Sequence, residues 1–271
     1  MDLLIFSGQS NMQGQTECLP KSNIAVPGAV EYRFADNALH PLCHPVGENL
    51  DENGVPFSPN FSDIPGAISR GALLAAWENH TNMVPDFCRS YIRAATPAAF
   101  PSGTKDRVAA VHAAKGSTQI EYWLKGRGGY SALCRKSLAA IQKVQPEHIF
   151  FIWLQGESDA LAGVSKEAYQ QMLLCLQQDL QTDLGIEKFG VIQVGRFAND
   201  ARDDAIIAAQ KAICAENPDF MLLTAVTEQL IRNPRYMNPF ARGHYNCFGQ
   251  RVIGTLAGRT LGLYRRGLCQ E

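Results

Sequence analysis

No excess of either charge marks this sequence: 25 Lys and Arg stand against 26 Asp and Glu, a formal net charge of −1 over 271 residues. Nothing in that balance draws the chain to nucleic acid or to an anionic membrane. Clusters of Lys and Arg with interleaved aromatics are missing as well, which leaves a nucleic-acid-binding surface without support. The longest apolar runs fall short of a membrane span. Glycine-rich phosphate cradles of Walker or Rossmann form are absent, so no nucleotide cofactor is expected, and no other cofactor. The opening "MDLLIFSG" has no basic stretch and no small-residue cleavage site, and it reads as a core strand. The expectation is a cytoplasmic protein with reduced thiols. Its eight cysteines (18, 43, 88, 134, 175, 214, 247, 269) form no C-x-x-C pair. Cys134, Cys175 and Cys214 fall in helical-looking apolar stretches, where a free thiol behaves as a small hydrophobe. "HPLCHP" at 40–45 offers two histidines and a cysteine, but two prolines and the lack of a fourth ligand make it a rigid loop rather than a zinc site.

What is present is an alternation of strands and helices. Apolar runs at "DLLIFS", 107–114, 148–155, "FGVIQVGRF" and "DFMLLTAV" read as five strands. Helical patterns fall at "VPDFCRSYIRAA", "YSALCRKSLAAIQKV", "SKEAYQQMLLCLQQDLQTDLG" with Gly185 as C-cap, 201–216 and 246–263. Residues 13–83 are rich in Pro, Gly, Asn and Asp and read as a long loop-rich insertion, with a short helix at 68–79. Strands alternating with helices imply right-handed crossovers and a parallel sheet covered on both faces. With no linker and no repeat, residues 1–271 read as one domain. Ligands in such sheets sit beyond the carboxyl ends of the strands, and the polar motifs fall there: Gly8–Asn11, Lys115–Thr118, Gln155–Glu157 and Arg196.

Each motif has a chemical and a plain structural reading. Ser10 leaves the first strand in a Gly-containing turn that opens a short helix, as a nucleophile would; it could equally N-cap that helix. Gly116 lets backbone approach a ligand closely, or simply makes a turn. In "WLQGESDA", the Gln155 amide could donate to an oxyanion and Glu157 could hold an imidazole; the alternative is a helix start favoured by acidic side chains. His244, in the polar loop "ARGHYNCFGQ" with Asn246 as the next helix's N-cap, is the best placed of six histidines for a general base. For a substrate, Arg196 or Arg242 could clamp a carboxylate, against plain surface solvation, which is the preferred reading of Arg242; Tyr122, Trp123 and Tyr245 could face a neutral sugar polymer. Trp123, inside "IEYWL", reads better as core.

With "GQSNM" at 8–12, "KGSTQIEYW" at 115–123, "WLQGESD" at 153–159 and "GHYN" at 243–246, the chain resembles the SGNH/GDSL hydrolase superfamily, and within it the sialate O-acetylesterase and carbohydrate esterase family 6 branch, which includes acetylxylan esterases. The resemblance implies a flavodoxin-like, three-layer α/β/α sandwich with a mainly parallel five-stranded sheet. It implies a serine esterase that removes O-acetyl groups from carbohydrate, a sialic acid or a xylo- or other oligosaccharide. Ser10 would be the nucleophile and His244 the base, with an oxyanion hole of the Ser10 N–H, the Gly116 N–H and the Gln155 amide. Asn11, Arg196 and Tyr245 would contact substrate. One departure matters: many relatives carry Asp three residues before the histidine, where this chain has Ala241. Three readings follow, in order of preference: Glu157 holds His244, a backbone carbonyl holds it, or the chain is a carbohydrate-binding pseudoenzyme.

Overall fold

Leu3, Leu4, Ile5 and Phe6 are wholly buried at the centre of the first strand, β1 (Asp2–Gly8). A strand covered on both faces has no solvated side to alternate with, which is why it reads as an unbroken apolar run. In this computed structural model, which describes residues 1–14, 16, 24–48, 81–96 and 107–267, two further strands flank β1 in parallel. They are β4 (Val108–Ala114) and β5 (Ile149–Leu154). Beyond β5 lie β6 (Lys188–Ile192) and β7 (Phe220–Thr224), also parallel. These are the five expected strands.

The described sheet nevertheless has seven strands, in the order β3-β2-β4-β1-β5-β6-β7. β2 (Ala29–Arg33) runs parallel to β4, and β3 (Ala38–Pro41) closes the edge antiparallel to β2. Both fall inside the stretch expected to be irregular. Their run of apolar residues is interrupted by Glu31, and a mid-strand charge argues against a buried strand. Yet Glu31 is fully buried, because its carboxylate accepts the Gly47 N–H at 2.7 Å and pairs with Arg33 at 3.2 Å. The helix expected at 68–79 lies outside the described residues.

Eight helices accompany the strands among the described residues: α1 (Ser10–Gln13), α2 (Val84–Ala95), α3 (Gly128–Val144), α4 (Glu157–Ala162), α5 (Lys166–Leu184), α6 (Ala201–Glu216), α7 (Thr227–Leu230) and α8 (Cys247–Gly267). Their placement follows the period of two along β5. Phe150 meets Tyr91 of α2 and Tyr264 of α8. Trp153, three residues on and on the opposite face, reaches Tyr169 of α5. The sheet is therefore a middle layer between two helical ones. On one side α8 packs closely on α2: a Cβ at Gly254, Gly258 or Gly262 would lie 2.2–2.5 Å from backbone oxygens of Met83, Phe87 and Tyr91. Both expected caps are in place. Gly185 ends α5 in the left-handed region, and Asn246 accepts the Phe248 and Gly249 N–H groups at 3.0 Å to open α8. None of the described helices is long and apolar enough to cross a membrane.

Candidate active site

The turn after β1 is built by Gln9, not by Ser10. Gln9 occupies the N-cap of α1 without a side-chain cap bond, and its carbonyl receives the Met12 and Gln13 N–H groups. Its side chain reaches across to the turn after β5 instead. There Gln9 Oε1 accepts from Gln155 Nε2 (3.1 Å), the Ser158 N–H (3.1 Å) and, at 3.4 Å, the Gly156 N–H. It thereby satisfies the opening donors of α4, which has no cap of its own. The two polar motifs that stand out in the sequence are thus locked to each other by side chains, and Ser10 is left with its hydroxyl free for another use.

That hydroxyl lies 2.8 Å from His244 Nε2. The other ring nitrogen, Nδ1, lies 3.0 Å from the carbonyl oxygen of Arg242. A carbonyl can only accept, so Nδ1 carries the proton, Nε2 presents its lone pair, and the Ser10 hydroxyl donates to it. This is the tautomer a general base requires. Phe197 backs the imidazole edge-on, with ring centroids 5.8 Å apart. Burial holds the His244 pKa below its ordinary value of 6.5, against smaller opposite effects of the Arg242 and Ala241 backbone.

Other expected roles are corrected. Glu157 does not touch His244: its Oε1 accepts from Asn11 Nδ2 at 2.8 Å, and it is 2% exposed. The second sequence reading, a backbone carbonyl on the imidazole, is the geometry observed. Gln155 cannot serve an oxyanion either. Fully buried, its Nε2 donates among Gln9 Oε1, Thr118 O (2.8 Å) and Asp159 Oδ2 (2.5 Å), which uses both of its hydrogens. Its Oε1 accepts the Tyr169 hydroxyl. Asp159, in the same cluster, is pushed up to about 6 by burial, with the Gln155 bond working against the rise.

The Gly116 N–H is at the expected place but donates to Gln13 Oε1 at 3.0 Å. The Ser10 N–H, at the first helical position, has no acceptor among the described residues. Of the expected substrate contacts, Asn11 is 1% exposed and hydrogen-bonded internally at both ends of its amide. Tyr245 is buried with its hydroxyl on Thr227 O at 3.3 Å. Arg196 pairs with Asp204. Trp123 is core, as expected, and its Nε1 donates to Thr118 Oγ1 at 3.0 Å. Sequence reasoning missed Gln9, Gln13 and Phe197. Gln9 sits inside the quoted motif and Gln13 directly after it, but nothing in a linear sequence says which neighbouring turn a side chain faces.

A family model described as carbohydrate esterase, sialic acid-specific acetylesterase, matches residues 77–253. Among solved structures, one from Arabidopsis thaliana superposes with a TM-score of 0.64 at 17% identity, covering 96% of this chain and 97% of that one. NanS superposes with a TM-score of 0.65 at 15% identity, over 97% of each chain. A carbohydrate acetylesterase from Xanthomonas citri gives 0.54 at 15% identity, over 96% of this chain and 56% of its own. At these identities the structures speak for the fold alone, a mainly parallel sheet between two helical layers. Among curated proteins, none matches the sequence.

Proposed function

Given that the chain belongs to the sialic acid-specific acetylesterase family of carbohydrate esterases, we propose that it hydrolyses acetyl esters of an acidic sugar through an acetyl-serine intermediate made by a Ser10–His244 dyad. The observation that carries the mechanism is the alignment of Ser10 Oγ, His244 Nε2, His244 Nδ1 and the Arg242 carbonyl at 2.8 and 3.0 Å. Ser10 Oγ attacks the acetyl carbonyl while His244 takes its proton. The tetrahedral oxyanion receives the Ser10 N–H and, once Gln13 Oε1 is displaced, the Gly116 N–H. Collapse breaks the bond to the sugar oxygen, which the imidazolium protonates. Water then repeats the sequence on the acetyl-serine and releases acetate.

A backbone carbonyl is a neutral partner. It fixes the tautomer and shares the imidazolium charge less than a carboxylate would, so this site relies more on its alignment and its oxyanion donors. For the substrate, the family description and Arg242 support an acidic sugar: this guanidinium is exposed two residues before the catalytic imidazole. A neutral polymer would want aromatic faces, and two of the three available rings are buried. Acetate release from O-acetylated sialic acids and acetylated xylo-oligosaccharides tests this. The expected outcome is a kcat/KM at least ~10-fold higher on the acidic sugar, the size of one good charged contact; equal or reversed preference overturns the substrate reading.

The pH dependence follows from the imidazole. His244 must be neutral to take the serine proton, so kcat/KM rises with pH through its pKa. Because burial lowers that pKa, the acid limb should have its midpoint below 6.5, with the rate level through neutrality. A pH–rate profile with its acid midpoint at or above 6.5 would point to a charged partner on the ring and against the carbonyl.

A further inference from the structure

Asn11 follows the nucleophile directly, yet its side chain turns inward and spans the loop that carries the base. Its Nδ2 donates to the carbonyl of Gly243 at 3.2 Å and to Glu157 Oε1 at 2.8 Å. Its Oδ1 accepts the N–H of Tyr245 at 3.2 Å. The residues immediately before and after His244 are therefore both tied to the residue immediately after Ser10. Asn11's own carbonyl is held by Gln250 Nε2 at 2.9 Å, from α8.

On the other side the loop is stopped by Phe197. Gly243 has φ +77°, and a Cβ there would lie 2.2 Å from the Phe197 ring. The loop is wedged between an aromatic wall and one amide. Nothing else among the described residues links the segment around Ser10 to both neighbours of His244.

We infer that Asn11, braced by Glu157, is the positioning residue that sets His244 against Ser10. Glu157 acts on the base only through Asn11. Its Oε1 accepts the Asn11 Nδ2 hydrogen, while burial holds its pKa above the ordinary carboxylate value, and it holds the Asn11 amide in the single orientation that can donate to Gly243 and accept from Tyr245. The arrangement places the nucleophile and the strut on consecutive residues of one short turn. The distance from Oγ to Nε2 is then fixed through the three hydrogen bonds of the Asn11 side chain and the Phe197 wall rather than by two independent loops.

The inference rests on the dyad reading, so its test includes Ser10→Ala. Asn11→Ala, Glu157→Ala and Glu157→Gln are assayed beside it on one aryl acetate, with thermal unfolding of each. A misplacement of about 1 Å costs roughly 10²-fold. Asn11→Ala and Glu157→Ala are accordingly expected to lose ~10²-fold in kcat while KM stays within about threefold, since the nucleophile and the oxyanion donors are themselves unchanged. Glu157→Gln keeps an oxygen for Asn11 and should stay within about tenfold of wild type. Were Glu157 instead the acid of a triad, neutralising it would cost nearer 10⁴-fold.

Activity of Asn11→Ala near wild type, with Ser10→Ala inactive, overturns the strut and leaves the dyad standing. A loss expressed in KM rather than kcat also overturns it. Where Asn11→Ala does not fold, the Glu157 pair decides: equal losses in Glu157→Gln and Glu157→Ala overturn the strut. An active Ser10→Ala overturns the dyad itself.

Discussion

Ser10→Ala should lower kcat on acetyl esters by about 10⁴-fold or more while the unfolding transition stays where it is. Among the described residues the hydroxyl makes one bond, to His244 Nε2, and caps no helix, so its loss removes the attacking atom and little structure. His244→Ala should fall as far, and the double variant no further than either single one. Groups that act as a unit do not add, because once either is gone the other has no proton to move. The measurement is kcat by acetate release, with folding followed by circular dichroism. Additive losses, or a Ser10→Ala variant within tenfold of wild type, would remove Ser10 from the chemistry and return the chain to the reading of a carbohydrate-binding protein.

Gly8→Ala should be the most damaging of the backbone changes near the site, costing about 4 kcal/mol or more of stability. Gly8 ends the central strand with φ +149°, where a side chain is strained, and a Cβ would lie 2.0 Å from the carbonyl oxygen of Leu154. That same oxygen accepts the Gln9 N–H at 3.1 Å, the bond that starts the nucleophile's turn. Neither strand can yield: β1 and β5 are paired along their length and buried on both faces. Making room means parting them under Ser10, so activity should go with stability. Urea unfolding checks it, and a loss under 1 kcal/mol would show that the end of β1 tolerates more movement than its packing implies.

The Glu157 correction shows where linear reasoning stops. A carboxylate beyond an apolar strand is a sound candidate for the partner of a histidine, and Ala241 left the usual position of one empty. Whether it reaches the ring depends on a side-chain direction set by the turn opposite. Asn11 lies between the two, and it takes the carboxylate. The same holds for Gln155. Its amide has the right chemistry for an oxyanion, but Thr118, Asp159 and Gln9 surround it first.

The pairing of Ser10 with His244, 234 residues away, was what the family resemblance implied. The five expected strands, the caps at Gly185 and Asn246 and the placing of polar motifs at strand ends were legible in the sequence itself. They depend on local rules: apolar periodicity, turn chemistry, and the tendency of parallel strands to gather their carboxyl ends. The two extra strands, the burial of Glu31, and the choice of the Arg242 carbonyl over Glu157 were decided by tertiary structure. In each, a polar group takes the partner that the rest of the fold brings within 3 Å or so, and a hydrogen bond has no reach beyond that.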